Sequence, residues 1–269
     1  MYSQRSKFWP AYTWKIQTSF SSSLKGKLLH EFEISDENFE KMFFNIFDKV
    51  NASFYHLEKL KENENIAIET GKELAKIKIP GTENMMGIAG SPYEPIGYEY
   101  ETFLITIKST LDFIAILLSL GFNRSEDNIA EFVKRMQSPN INLSPFERKI
   151  LGVLNITKYA SLINSFRNQG DQKSKRNYAT HKGSLPIGTI NIPINNPNAS
   201  LLLSKALNPN ASDPHVSIFS EQDLADFCEE QFYTTCDFLI EILNILTENR
   251  LIPGPKSSLY AERLNDKSY

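Results

Sequence analysis

The stretch FEKMFFNIFDKVNASFYHLEKL, residues 39–60, decides the fold class of this chain. Its apolar residues recur every three or four positions, the spacing that places side chains on one face of an α-helix. That face consists of Phe39, Phe43, Ile46, Val50, Phe54, Leu57 and Leu60. Asp36 and Glu37, which follow Ser35, suit the positive end of a helix dipole. The pattern therefore predicts a long amphipathic helix that begins after Ser35.

The same reasoning predicts further helices, over 65–78, 98–120, 126–137 and 144–166, and a last long helix after the 220–223 cap. The start at 144 is the clearest, because Ser144 and Glu147 form a capping-box pattern around Pro145. Glycine and proline make 81–97 a predicted loop. Within 184–219, short β-type runs at 189–192 and 216–219 predict a small β-hairpin or an irregular insertion. We therefore expect a mainly α fold, a bundle of about five or six helices.

We expect this bundle to be one domain over 35–250 that contains the 184–219 insertion. Residues 1–34 give no regular pattern and are predicted to be irregular, and 251–269 are predicted to be a loose polar tail. The most apolar run, 103–122, is nearly long enough to span a bilayer, but Lys108 and Asp112 near its middle disfavour insertion. The sequence therefore predicts a buried helix at this position and no membrane span.

Composition narrows the function classes. The chain has 269 residues and a formal net charge of -3, so no global basic field favours a protein that coats nucleic acid. An enzyme needs only a local basic cleft, and this class stays open. Cys228 and Cys236 are too few and too far apart on one helix for a disulfide framework, and we expect them in the core of a reduced, cytoplasmic protein. No residue spacing indicates a metal site, and we expect no cofactor.

The stretch with the clearest chemistry runs from Arg176 through Asn177 and Tyr178 to His181. Histidine moves protons near neutral pH, and a guanidinium holds the charge of a reacting phosphate through two parallel hydrogen bonds. RNA is the polymer that suits this pair, because its 2′-hydroxyl is an internal nucleophile. We therefore predict that Arg176, Asn177 and His181 are catalytic. The predicted RNA-binding residues surround them: Arg167, Lys173, Lys175, Tyr178 and Lys182.

The pattern R-N-x3-H resembles that of the HEPN superfamily (higher eukaryotes and prokaryotes nucleotide-binding domains), and so does the helical pattern around it. The resemblance implies a metal-independent endoribonuclease that acts in toxin–antitoxin, antiphage or RNA-processing systems, with a cognate inhibitor protein as a possible partner. It also implies a two-fold homodimer. Five residues rotate about 140° on a helix, so Arg176 and His181 do not share a face of a straight one. They converge either if Arg176 lies at the boundary between a loop and a helix or if two chains pair, and the resemblance implies the second.

Other interpretations stay open from the sequence. Lys108 and Asp112, four apart on an apolar helix, either support the catalytic residues, form an internal pair or point to solvent. The alternative to a nuclease is a non-catalytic HEPN-like module that binds a nucleotide, an RNA or a protein partner. A helical interaction protein with no nucleic-acid role is a third reading. One departure from the family concerns regulation: toxins controlled by tyrosine nucleotidylation carry histidine-x-tyrosine after the motif, whereas Gly183 takes the tyrosine's place here.

Overall fold

The computed structural model describes residues 36–75, 86–88, 93–122, 125–167, 191–193 and 223–247. These residues are mainly helical, which confirms the predicted mainly α character, and the bundle of HEPN type stays a prediction. Six helices and two short strands follow one another among the described residues: α1 (Asp36–Ala75), β1 (Met86–Ile88), α2 (Tyr93–Gly121), α3 (Ile129–Met136), α4 (Pro145–Leu154), α5 (Thr157–Ser165), β2 (Asn191–Pro193) and α6 (Leu224–Thr247).

Helix α1 begins after Ser35, as predicted, and four residues of its apolar stripe are buried. Ile46, Val50, Leu57 and Leu60 are at most 1% exposed. The helix is continuous through the point at which the sequence predicted a break into a second helix. The physical reason is that 61–65 contains neither proline nor glycine, and an ion pair one turn apart, between Lys59 and Glu62 at 2.7 Å, supports the helix there.

Helix α2 begins at Tyr93, five residues earlier than predicted, so the predicted 81–97 loop is wrong at its C-terminal end. The new start places Pro95 in the first turn, where the backbone N–H groups have no acceptor within the helix and proline costs no hydrogen bond. Among the described residues, Pro95–Ser119 is the one stretch long and apolar enough to cross a membrane, and 61% of its most apolar window is buried inside the protein. A core helix of a helical bundle has the same length and burial.

The predicted capping box is present at the start of α4. The Ser144 hydroxyl accepts a hydrogen bond from the Glu147 N–H at 3.2 Å, and the Glu147 carboxylate accepts one from the Ser144 N–H at 2.8 Å. The helix predicted over 144–166 is interrupted, however. Helix α4 ends at Leu154 with Asn155 as its C-cap, and α5 starts at Thr157. The Asn155 side chain competes for the hydrogen bonds of the helix backbone, and the β-branched residues Ile156 and Thr157 lose rotamer freedom in a helix. Both effects favour a turn at this point.

Strands β1 and β2 pair in antiparallel fashion, with Gly87 opposite Ile192. The strand at 191–193 overlaps the predicted run at 189–192, but its partner lies far away in the chain, within the predicted 81–97 loop. The loop prediction is therefore wrong at 86–88 as well. The other predicted run, 216–219, lies outside the described residues, so a hairpin within the insertion stays a prediction.

The chain divides into two compact units. Unit 1 is drawn from Met1–Asn51, Ile107–Asn164 and Tyr233–Tyr269, and unit 2 from Ala52–Thr106 and Ser165–Phe232. The predicted irregular segment 1–34 and the predicted tail 251–269 lie outside the described residues, and the single helical domain over 35–250 stays a prediction. Cys228 and Cys236, both on α6, are buried free thiols, as expected of core residues.

Candidate functional site

The predicted catalytic motif lies outside the described residues. This holds for Arg176, Asn177 and His181, and equally for the predicted RNA-binding residues Lys173, Lys175, Tyr178 and Lys182. Arg167 is the one predicted RNA-binding residue that the structure describes; it follows α5 and is half-buried. The described residues thus give the geometry of the helices before and after the motif.

Helix α5, which precedes the motif in the chain, is held in unit 1 by a buried charge pair. The Lys158 ammonium donates to the Asp237 carboxylate on α6 at 2.8 Å, and the Asp237 side chain is only 5% exposed. Burial alone would lower the pKa of Lys158, but hydrogen bonds to Asp237 and Tyr159 and their charges outweigh it and raise the pKa. A carboxylate buried to this degree is stable only with a partner, so the pair ties α5 to α6.

The side chains beside this pair are kept in their neutral forms. Burial raises the pKa of Tyr159 to about 12, and its ring packs 5.3 Å from that of Phe238. Burial, together with the charge of Asp237, raises the pKa of the Cys236 thiol well above its usual value. A thiol held protonated and out of solvent is a poor nucleophile, so this cluster supports the helices and does not resemble a cysteine active site.

Lys108 and Asp112 form the internal pair that the sequence left open. The Lys108 ammonium bonds both oxygens of the Asp112 carboxylate. The same carboxylate accepts the backbone N–H of Ile129, the first residue of α3, at 2.9 Å. A negative charge at the start of a helix satisfies a free N–H and complements the dipole. The two residues therefore anchor α3 on α2, and support for the catalytic motif stays a prediction.

An open groove of about 650 Å³ runs along α4 and α6 in unit 1. One lysine, one carboxylate and one amide combine with apolar side chains in its wall, which consists of Lys149, Gly152, Val153, Ile156, Glu241, Asn244 and Ile245. A ligand site needs several polar groups that converge on one position, and the opposite charges and apolar side chains of this wall indicate no particular ligand or reaction.

Unit 2 contains a histidine–carboxylate pair that the sequence analysis missed. Nδ1 of His56 on α1 lies 2.7 Å from Oε2 of Glu99 on α2, and the two side chains are 21% and 24% exposed. Because a carboxylate only accepts, Nδ1 of His56 donates the hydrogen of this bond. The two residues are 43 positions apart on different helices, and no local pattern in the sequence signals such a contact.

No group of three or more histidine, cysteine, aspartate or glutamate residues within the described ranges is arranged to hold a metal ion. No protein-family model, curated protein or solved structure matches the chain.

Proposed function

We propose that this protein is a metal-independent endoribonuclease of the HEPN type. The observation that carries the proposal is the sequence Arg176-Asn177-x3-His181 in a mainly helical chain. The long apolar helix α2 comes first, the interrupted helix α4–α5 leads toward the motif, and the core helix α6 follows it, which is the order expected of such a fold.

In the proposed reaction, His181 removes the proton from the 2′-hydroxyl of the RNA as that oxygen attacks the adjacent phosphorus. The bond from phosphorus to the 5′-oxygen breaks, and a proton returns to the leaving oxygen. The products are a 2′,3′-cyclic phosphate and a 5′-hydroxyl, so atoms and charge balance without a metal. Arg176 neutralises the pentacoordinate phosphate through two hydrogen bonds, a geometry that lysine does not reproduce.

The remaining residues of the proposed site bind and orient the RNA. Asn177 orients His181 or bonds a phosphate oxygen. Positive charge for the phosphate backbone comes from Arg167, Lys173, Lys175 and Lys182. Tyr178 offers a ring on which a base stacks. A two-fold dimer brings two motifs into one cleft, which is why we propose a homodimer as the active form. Lys108 and Asp112 remain candidates to support this cleft.

The proposal is tested by cleavage of a labelled single-stranded RNA in EDTA. The wild type is compared with His181→Ala, with Arg176→Lys, and with His215→Ala as a histidine control outside the motif. Cleavage by the wild type and His215→Ala, with a loss of at least about a hundredfold in the two motif variants, is the expected result. A substrate with 2′-deoxyribose at the cut position is expected to resist cleavage, because it lacks the nucleophile.

Two outcomes contradict the proposal. Equal cutting by the wild type and His181→Ala would place the activity elsewhere or in a contaminant. Binding of RNA without cleavage by any variant, in a preparation shown to be dimeric by light scattering, would favour the non-catalytic module instead. Growth inhibition upon expression in a host cell, relieved by His181→Ala, is the expected cellular counterpart for a toxin or antiphage effector.

A further inference from the structure

The groove between α4 and α6 lies next to the point at which the chain leaves α6. Ile245, on the α6 side of its wall, comes two positions before Thr247, the last residue of the helix, and Glu241 comes one turn earlier. The opposite side includes Ile156, which follows α4 and whose large apolar side chain is 42% exposed. The groove is thus open and partly apolar, and it adjoins the residues that follow α6 in the chain.

The residues that follow α6 complement this wall in their chemistry. Leu251 and Ile252 form an apolar pair, and Lys256 supplies a cation. Pro253 and Pro255 lie between them, and proline fixes φ, so a run of this composition loses less backbone entropy when it binds in an extended form. We call residues 251–256, which lie outside the described residues, the post-α6 segment.

The post-α6 segment is long enough, and attached closely enough, to return along the groove. Four residues lead from Thr247 to Leu251, and four extended residues reach up to about 14 Å, which suffices to reverse the direction of the chain. Leu251 and Lys256 are separated by up to about 17 Å in an extended chain. Ile245 and Glu241 are about 6 Å apart along the axis of α6. With the apolar pair beside Ile245, the Lys256 ammonium therefore comes within reach of the Glu241 carboxylate.

We propose that the post-α6 segment of the same chain binds in this groove. An open wall with one carboxylate and one lysine holds a free ligand only weakly, which is why its chemistry alone indicates none. A segment joined to the site by a few residues is present at an effective concentration in the millimolar range, and closing so short a loop costs little entropy. A contact too weak to capture a free ligand is therefore sufficient for this segment.

The two charges of the groove set the direction in which the segment lies. Lys149 on α4 repels Lys256, whereas Glu241 on α6 attracts it. An ion pair at an exposed rim contributes little affinity but disfavours the reversed arrangement. A partner protein that uses this face has to displace the segment first. The inference goes beyond the proposed nuclease and does not depend on its motif.

The test is disulfide trapping in the full chain under mild oxidation, followed by mass spectrometry. Gly254→Cys keeps the apolar pair, both prolines and the cation of the segment. Its partner is Gly152→Cys in the wall of the groove, where a Cβ meets no atom within 4 Å. Arg148→Cys is the matched control, because Arg148 is exposed one turn away on α4 but lies outside the wall. The natural cysteines, Cys228 and Cys236, are buried and should not take part.

The pair at 152 and 254 is expected to close at least about tenfold faster than the pair at 148 and 254, because a disulfide bridges only Cα atoms within about 7 Å. Leu251→Ser with Ile252→Ser keeps the attachment but removes the apolar contact, and it should abolish the difference. Glu241→Lys should slow closure about threefold, and the added Lys256→Glu should restore it. A lack of restoration would overturn the contact between these two charges.

Equal rates at 152 and 148, unchanged by the two serine substitutions, would overturn the inference and describe an unbound tail. A disulfide that joins two chains, with a yield that rises with protein concentration, would also overturn it and assign the groove to the segment of a second copy. Circular dichroism like that of the wild type is required of every variant. If Gly152→Cys fails this check, Asn244→Cys on the opposite side of the groove replaces it, with the same expected loss of closure in the serine variants.

Discussion

Removal of the Lys158 ammonium should lower the free energy of unfolding by the amount that the contact between α5 and α6 contributes. Lys158→Met keeps most of the apolar stem but leaves the Asp237 carboxylate, only 5% exposed, without its cation. Loss of one partner costs about 3–5 kcal/mol for a fully buried pair and about 0–1 kcal/mol for an exposed one. Because Lys158 is 34% exposed and Asp237 keeps other contacts, we expect a loss of about 2–3 kcal/mol in the free energy of unfolding.

The assay is thermal and urea unfolding followed by circular dichroism at neutral pH, and the expected fall in Tm is about 4–12 °C. Lys149→Met, at an exposed lysine of α4, controls for the loss of a surface charge and should stay within about 0.5 kcal/mol of the wild type. The double variant Lys158→Met with Asp237→Leu removes both charges and should recover most of the stability. A Lys158→Met variant as stable as the wild type would refute the reasoning. A double variant whose loss of stability equals the summed losses of Lys158→Met and of Asp237→Leu alone would refute it as well.

Three further predictions concern the core and the caps. Burial raises the pKa of Tyr159 to about 12 from an unfolded value of 10, so the unfolded chain releases that proton first. Stability should therefore fall by about 2 kcal/mol between pH 10 and pH 12, and urea midpoints should show a smaller fall in Tyr159→Phe. Cys228 and Cys236 are both buried, so a thiol reagent at pH 8 should label neither cysteine in the native protein and both in urea. Rapid labelling of the native protein would contradict the buried positions. Ser144→Ala removes the N-cap of α4 and should lower the free energy of unfolding by about 1 kcal/mol, measured by thermal unfolding. Gly152→Ala in the same helix should raise it by about 0.5–1 kcal/mol, because a Cβ there meets no atom within 4 Å. Equal effects of the two substitutions would contradict this account of α4.

Much of the helical architecture follows from local patterns in the sequence. The apolar stripe from Ile46 to Leu60 needs only its own spacing to predict α1, and the capping box at Ser144 needs only neighbours within one turn. The burial of both cysteines follows from their positions on the apolar face of α6. The catalytic hypothesis is local in the same sense, because Arg176 and His181 are recognised by their types and their separation.

Contacts between distant segments were decided by tertiary structure alone. Lys158 and Asp237 are 79 positions apart in the chain, and His56 and Glu99 are 43 positions apart. The spacing of either pair therefore does not predict the contact. The strand at Met86 likewise exists because Pro193 and its neighbours, from a distant part of the chain, pair with it. Side-chain periodicity reports which face of a helix is apolar, whereas the choice of the element that covers this face depends on the packing of the whole chain. The sequence by itself determined the helices and the candidate chemistry, and the tertiary structure decided the charge pairs that join them.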